Sequence, residues 1–205
     1  MARQISEISQ FKGKTLRIDF SEGEPIFVHA DIVADYHLSK GLEMPDGAID
    51  DVVHANDARR AKERAFYLLD ERDYSYVEMF KKLERNYDED ICYDVCNRLA
   101  ELGLIDDRRY AKKAAEYYCV TKKCGYYRAR EEMRKRGLSG ELIDEALAEY
   151  EDDTPERLAE LICRKYARYL TDEKGITKVK SALVRLGYTY AEINSAIEEF
   201  LQEED

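Results

Sequence analysis

A repeat with a period of about fifty residues constrains this chain more than any other feature of its sequence. Small and apolar residues recur at that spacing through the carboxyl-terminal three quarters of the chain. The first half of each copy aligns Ser75, Gly125 and Gly175; Met79, Ala129 and Val179; and Leu83, Met133 and Leu183. After a one-residue shift in the first copy, the second half aligns Cys92, Ile143 and Ile193; Val95, Ala146 and Ala196; and Cys96, Leu147 and Ile197. This period is too long for tetratricopeptide or ankyrin repeats and is typical of tandem three-helix units.

Turn residues divide each copy into helices. The turn before the last helix is Asn86-Tyr87-Asp88 in the first copy, Gly137-Leu138-Ser139-Gly140 in the second and Gly187-Tyr188-Thr189 in the third. Ser139 and Thr189 are expected to cap the helices that follow them. Glu192, three residues after Thr189, completes the pattern of a reciprocal cap. Because each unit would contact only its neighbours, the repeat predicts an elongated, curved body.

A different pattern precedes the repeat. Residues 15–20 alternate between apolar and polar, a turn follows, and residues 26–28 are apolar again, which predicts a β-hairpin. A short helix is expected from about Ala30 to Tyr36. The strongest boundary is Met44-Pro45-Asp46-Gly47, after which a helix of about 25 residues is expected to reach Arg72.

These patterns predict a mostly α fold with four parts. An amino-terminal module, residues 1–46, holds the β-hairpin and the short helix. Three three-helix units then cover residues 47–103, 104–151 and 152–205.

The charge of the chain is unevenly distributed. The formal net charge is −11, which disfavours a generic binder of polyanions. Residues 104–151 are nevertheless basic, with eleven Lys and Arg against ten Asp and Glu, while each of the other three parts is acidic. The sequence contains neither a long apolar run nor a secretory signal pattern, and its five cysteines are scattered, so we expect a cytoplasmic protein without a membrane partner.

Several residue groups that resemble catalytic or metal sites have simpler explanations. Asp106-Asp107 and Asp152-Asp153 each precede a helix, where aspartate caps backbone N–H groups, and no suitably spaced base or third ligand accompanies them. Cys92 and Cys96 stand where the other copies have isoleucine and leucine, which predicts buried cysteines rather than zinc ligands. No glycine-rich phosphate loop is present, so we expect neither an enzyme nor a bound cofactor or metal.

The basic part contains the candidate binding residues. On a helical wheel for residues 107–121, the cations lie opposite the apolar arc, and a second predicted helix continues the charge after Gly125. Tyr126 falls on the apolar arc of that second helix, whereas Tyr127 falls off it and is free to stack on a base or a partner. The alternatives are a plain solvated face and a surface for phosphates or an acidic partner. The candidates are Arg108, Arg109, Lys112, Lys113, Lys122, Lys123, Tyr127, Arg128, Arg134, Lys135 and Arg136.

Two segments of the same part form a recognisable pattern: Gly103-Leu104-Ile105-Asp106-Asp107-Arg108-Arg109-Tyr110-Ala111 and Gly125-Tyr126-Tyr127-Arg128-Ala129-Arg130-Glu131-Glu132-Met133-Arg134-Lys135-Arg136-Gly137-Leu138. This pattern resembles the signature of the RecX family. The resemblance extends from Ala58 to Phe200, because that family also consists of three tandem three-helix units. The amino-terminal hairpin is similar to an extension found on some bacterial members. The overall acidity, the cysteines and the many tyrosines are not part of the family pattern.

The resemblance implies a non-enzymatic regulator, usually inhibitory, of the RecA recombinase in recombination, DNA repair and the SOS response. Such a protein would lie in the groove of the RecA filament and reduce recombinase and ATPase activity. The implied partners are the RecA filament and single-stranded DNA, and the absence of sustained heptads predicts a monomer. The alternative is a helical repeat protein that binds nucleic acid without sequence preference and without RecA.

Overall fold

The computed structural model describes residues 2–203, which form a small sheet followed mainly by helices. Residues 1, 204 and 205, which the predicted domain limits include, lie outside the described residues. The chain folds into two compact units. The first unit holds residues 2–72 and 79–102, and the second holds residues 73–78 and 103–203. The predicted limits of the three helical repeats stay a prediction.

The amino-terminal sheet has four antiparallel strands in the order β3-β2-β1-β4: β1 (Ala2–Lys12), β2 (Thr15–Phe20), β3 (Ile26–His29) and β4 (Glu43–Pro45). The predicted hairpin is confirmed as the β2–β3 pair. Strands β1 and β4 were not predicted. The sequence hides β1 because two register shifts interrupt its alternation, and Ile5 is the one residue of that strand that is buried.

One face of the sheet is covered by two helices, α1 (Ala30–Asp35) and α2 (Asp46–Glu71). The core between them contains mainly aliphatic side chains from all four strands and both helices. Asn56, buried on α2, accepts a hydrogen bond from the His29 backbone N–H at 2.9 Å and donates to the Phe27 carbonyl at 3.4 Å. These two bonds satisfy part of the outer edge of β3, which has no further strand beside it among residues 2–203.

Eight more α-helices follow α2 among the described residues. They are α3 (Tyr76–Leu83), α4 (Glu89–Glu101), α5 (Asp107–Glu116), α6 (Tyr126–Lys135), α7 (Gly140–Ala148), α8 (Thr154–Leu161), α9 (Glu173–Arg185) and α10 (Tyr190–Glu203). Short π-helical segments, Tyr117–Thr121 and Ile162–Tyr166, continue α5 and α8. The chain is therefore mostly helical, as predicted.

The aligned repeat positions lie inside these helices. Met79, Ala129 and Val179 are buried on α3, α6 and α9, and the aligned positions on α4, α7 and α10 are buried as well. Ser139 caps α7, and Thr189 with Glu192 forms the predicted reciprocal cap of α10. The aligned positions of the repeat are therefore the positions whose side chains are buried in the core.

Two details of the structure depart from the sequence patterns. Gly175 aligns with Gly125 in the repeat but lies inside its helix, because α9 begins at Glu173 and Asp172 caps it by accepting from the Gly175 N–H at 2.6 Å. Asp153 occupies the cap position of α8, but its side chain makes no capping hydrogen bond. Its carboxylate instead lies 4.0 Å from the guanidinium of Arg157.

Candidate partner-binding surface

Asp106 and Asp107 cap two different helices. Asp106 precedes α5 and accepts a hydrogen bond from the Arg109 N–H at 2.9 Å. Asp107 accepts from the N–H of Tyr76, the first residue of α3, at 2.8 Å. Burial raises the pKa of Asp107, although the bond from Tyr76 opposes that rise. The capping interpretation is confirmed, and the second aspartate also ties α5 to the start of α3.

The start of α3 packs against the turn between α6 and α7. The Ser75 hydroxyl donates to the Arg136 carbonyl and accepts from the Glu78 N–H at 3.1 Å. The Val77 side chain lies against Gly137, whose φ of +81° places it in the left-handed region. A Cβ on Gly137 would overlap the Val77 side chain, so the contact requires glycine.

A matching junction joins the start of α6 to the turn between α9 and α10. The Gly125 N–H donates to the Leu186 carbonyl at 2.9 Å, and the Tyr127 N–H donates to the Gly187 carbonyl at 3.2 Å. Gly187 has a φ of +93° and, like Gly125, is in direct contact with the opposing backbone. The packing of the first turn of a helix against a glycine-containing turn therefore occurs twice in the second unit.

Arg136 belongs to the first of these junctions. Its guanidinium donates to the Tyr110 hydroxyl at 2.9 Å and to the Tyr118 hydroxyl at 3.1 Å, and it lies 3.2 Å from Glu78. The Tyr110 hydroxyl in turn donates to Glu78 at 2.9 Å. These partners give Arg136 a structural role, whatever else it contacts.

The cations of α5 pair with carboxylates from neighbouring segments. Arg108 lies 3.1 Å from Glu145, which is on α7, and Lys112 lies 2.8 Å from Glu149, which directly follows α7. Exposed pairs of this kind contribute little to stability because water screens them, so either cation can exchange its acid for a partner group.

Arg109 and Lys113, the other two cations of α5, contact groups outside α7. The Arg109 guanidinium donates to the Gly103 carbonyl at 3.3 Å, and the Lys113 ammonium lies 2.6 Å from Asp73. Reversing the charge at either position would therefore disturb the protein itself as well as any partner.

The two lysines before α6 are also engaged. Lys122 lies over the ring of Tyr117, 5.3 Å from its centroid. Lys123 pairs with Glu160 at 2.7 Å and has a φ of +53°. Both remain near the surface, in the loop between the π-helical segment and α6.

The exposed side of α6 presents a shallow cavity of about 360 Å³, lined by Tyr127, Arg130, Glu131, Arg134 and Lys135. We call these residues the α6 face. Tyr127 is 62% exposed, whereas Tyr126 is half-buried against the core, as the helical wheel predicts. Among residues 2–202, Arg134 has no carboxylate within ion-pair distance.

The other cations of α6 are partly neutralised. Lys135 lies 2.9 Å from Glu131 and 3.1 Å from Glu132, and Arg128 lies 2.7 Å from Glu132. Arg130, which sequence reasoning did not select, pairs with Asp144 on α7 at 2.9 Å. Arg134 beside Tyr127 is consequently the cation of the α6 face that is most available to a partner.

The described part of the chain contains neither a cluster of metal ligands nor a membrane-spanning helix. Over residues 2–202, no three His, Cys, Asp or Glu side chains are grouped closely enough to hold a metal ion. Cys92, Cys96, Cys119 and Cys124 are buried free thiols, and burial raises the pKa of Cys96 to about 12. No helix in the same range is long and apolar enough to cross a bilayer.

Comparison with known proteins places this surface in a recognised segment. A family model described as the second three-helix domain of RecX matches residues 106–147. That range contains α5, α6 and most of α7, and with them all of the candidate residues.

Curated relatives extend the similarity beyond this segment. The chain is 32% identical over 130 residues to the regulatory protein RecX of Trichlorobacter lovleyi, covering 60% of this chain and 84% of the relative. It is 25% identical over 202 residues to the regulatory protein RecX of Clostridioides difficile, covering 96% and 95% of the two chains. A crystal structure of a regulatory protein RecX has the same fold, with a TM-score of 0.69, 22% identity and coverage of 96% and 99%.

Proposed function

Because this chain belongs to the RecX family of regulatory proteins, we propose that it binds the RecA recombinase filament and inhibits recombination and ATP turnover. It would do so as a cytoplasmic monomer that acts by occupancy and not by catalysis. The protein would lie in the filament groove, contact neighbouring RecA subunits and hinder strand exchange.

The α6 face carries the proposed contact. Tyr127 offers a large exposed ring, and Arg134 beside it lacks an ion-pair carboxylate among residues 2–202. Aromatic and arginine side chains contribute most to the affinity of protein interfaces, especially when they line a concave surface. The exposed cations of α5 and α6, whose present ion pairs are weak, would add electrostatic attraction to an acidic surface or to phosphates.

The acidic remainder of the chain supports filament binding over direct DNA binding. With a net charge of −11, the protein as a whole is repelled by a bare polyanion, and most of its middle cations already have acidic neighbours. If it bound DNA alone through this surface, affinity would fall steeply with salt in proportion to the phosphates neutralised. Binding to a protein groove predicts a shallower dependence.

Co-sedimentation with RecA filaments on single-stranded DNA tests the proposed surface. The variant Tyr127→Ala/Arg134→Glu should lower the apparent affinity at least tenfold, because it removes the exposed ring and reverses an exposed charge. Arg185→Glu is the matched control, since Arg185 is an exposed arginine on α9 with no ion pair within residues 2–202. Equal binding by both variants would exclude the α6 face from the interface.

A further inference from the structure

Arg157 on α8 is a buried arginine with unused hydrogen-bond donors. The residue is only 9% exposed. Its Nη2 donates to the Thr154 hydroxyl at 2.9 Å, but Nε and Nη1 have no hydrogen-bond partner among residues 2–202. The Asp153 carboxylate lies 4.0 Å from Nη1 and its side chain is 66% exposed. Burying a charged group is costly unless it is hydrogen-bonded and paired, so these donors require an explanation.

A small cavity in the second unit borders this arginine. Its volume is about 10 Å³, close to the space that one water molecule or one monatomic ion needs. Besides Arg157 and Thr154, its walls include the buried side chains of Cys119 and Leu147 and the ring of Tyr150. The Arg157 guanidinium carbon lies 6.0 Å from the centroid of that ring. The cavity is therefore too small for a nucleotide or an organic acid.

The start of α8 adds positive potential at the same place. Thr154 and Arg157 both belong to its first turn, and Asp153 at the cap position makes no side-chain capping hydrogen bond. The amino terminus of a helix carries a partial positive charge, which favours an anion there. Glu151 also lines the cavity, but it is exposed, so water screens its opposing charge. The buried guanidinium and the helix start therefore attract an anion together.

We propose that the cavity beside Arg157 binds one halide ion, which is chloride under cellular conditions. The ion accepts hydrogen bonds from Nε and Nη1 of Arg157 and compensates the guanidinium charge, whereas a water molecule would leave that charge uncompensated. The apolar walls formed by Cys119 and Leu147 lower the local dielectric and strengthen the attraction. Bound chloride connects the first turn of α8 to α7 and to the π-helical segment after α5, and so stabilises the second unit. The inference goes beyond the proposed function, since it needs no recombinase.

Thermal unfolding at constant ionic strength tests the site. Sodium chloride is substituted stepwise for sodium gluconate, whose anion is too large for the cavity. A ligand that binds only the folded state stabilises it, so the Tm should rise with chloride and approach saturation. Arg157→Gln keeps an N–H donor but removes the charge, and it should lose this rise. Arg164→Gln is the control and should retain it, because Arg164 is 77% exposed and pairs with Glu160 at 3.0 Å.

The comparison of the two variants isolates the site from general salt effects. Gluconate and chloride differ in their general effect on protein stability, and that difference acts on both variants equally. The proposal therefore rests on the part of the chloride response that Arg164→Gln shows and Arg157→Gln lacks. Equal chloride responses in the two variants, or no saturable response in the unmodified protein, would overturn it.

Bromide locates the ion in the unmodified protein, which keeps the proposal testable if Arg157→Gln fails to fold. Crystals grown in sodium bromide should show an anomalous scattering peak within hydrogen-bond distance of Arg157 Nε or Nη1. A water molecule at that position, or an empty cavity at saturating bromide, would overturn the proposal. None of these measurements contains RecA, so their outcome is independent of the proposed function.

Discussion

Replacing Gly187 by alanine should destabilise the second unit far more than the backbone conformation alone explains. An alanine in the left-handed region costs about 1–2 kcal/mol. At Gly187 the added methyl group would also overlap the Arg128 backbone nitrogen and lie 2.6 Å from its Cβ, well inside normal contact distances. These neighbours belong to the start of α6 and cannot rotate away.

The α6 start would have to move to admit that methyl group. Such a shift disrupts the bonds from the Gly125 N–H to Leu186 and from the Tyr127 N–H to Gly187, each contributing about 1 kcal/mol. We therefore expect Gly187→Ala to lower the free energy of unfolding by about 3–5 kcal/mol.

Gly103→Ala is the matched control for this experiment. Gly103 also has a positive φ, +68°, and belongs to the same unit, but no atom lies within 4 Å of where its methyl group would stand. Its loss should be about 1–2 kcal/mol, the conformational cost alone. Urea unfolding followed by circular dichroism measures both variants, and equal losses would refute the idea that close packing at this turn joins the helices.

Three further predictions follow from individual contacts. Burial raises the pKa of Asp107, so the folded protein binds the carboxyl proton more tightly than the unfolded chain does. The resulting stabilisation is complete below the ordinary aspartate pKa. It is lost as pH rises through the pKa that Asp107 has in the folded state. Urea unfolding between about pH 4 and 7 should therefore show stability falling relative to Asp107→Asn, and parallel curves would contradict this. Tyr110→Phe removes the hydroxyl that joins Glu78 and Arg136, and should cost roughly 1–2 kcal/mol in thermal unfolding, whereas an unchanged Tm would mean that water replaces it. Native protein should show one rapidly reacting thiol toward an aromatic disulfide reagent, that of exposed Cys163, and Cys163→Ser should abolish it; rapid reaction of a second thiol would contradict the burial of the other four cysteines.

The sequence predicts the helical part well because its three aligned copies show which helix positions are apolar in every copy. Cys92 and Cys96 were identified as core residues only because Ile143 and Leu147 hold the same positions, and both cysteines are buried. The sheet was predicted less completely. Strand β1 has an irregular register and β4 is only three residues long, so neither leaves a clear alternating pattern.

For the candidate surface, the sequence identified the charges but not their partners. Helical periodicity separates exposed Tyr127 from half-buried Tyr126. It cannot show that Arg136 turns towards Glu78 and Tyr110, because that contact joins residues far apart in the chain. The same holds for the pairing of Lys113 with Asp73. Ion pairing of this kind depends on tertiary structure.

The DNA-dependent ATPase of RecA tests the central claim most directly. Substoichiometric amounts of this protein, added to preformed filaments on single-stranded DNA, should reduce the steady-state rate. Tyr127→Ala/Arg134→Glu should be about tenfold less potent, and Arg185→Glu should match the unmodified protein. An ATPase rate that does not change at any ratio of the unmodified protein to RecA would contradict the account.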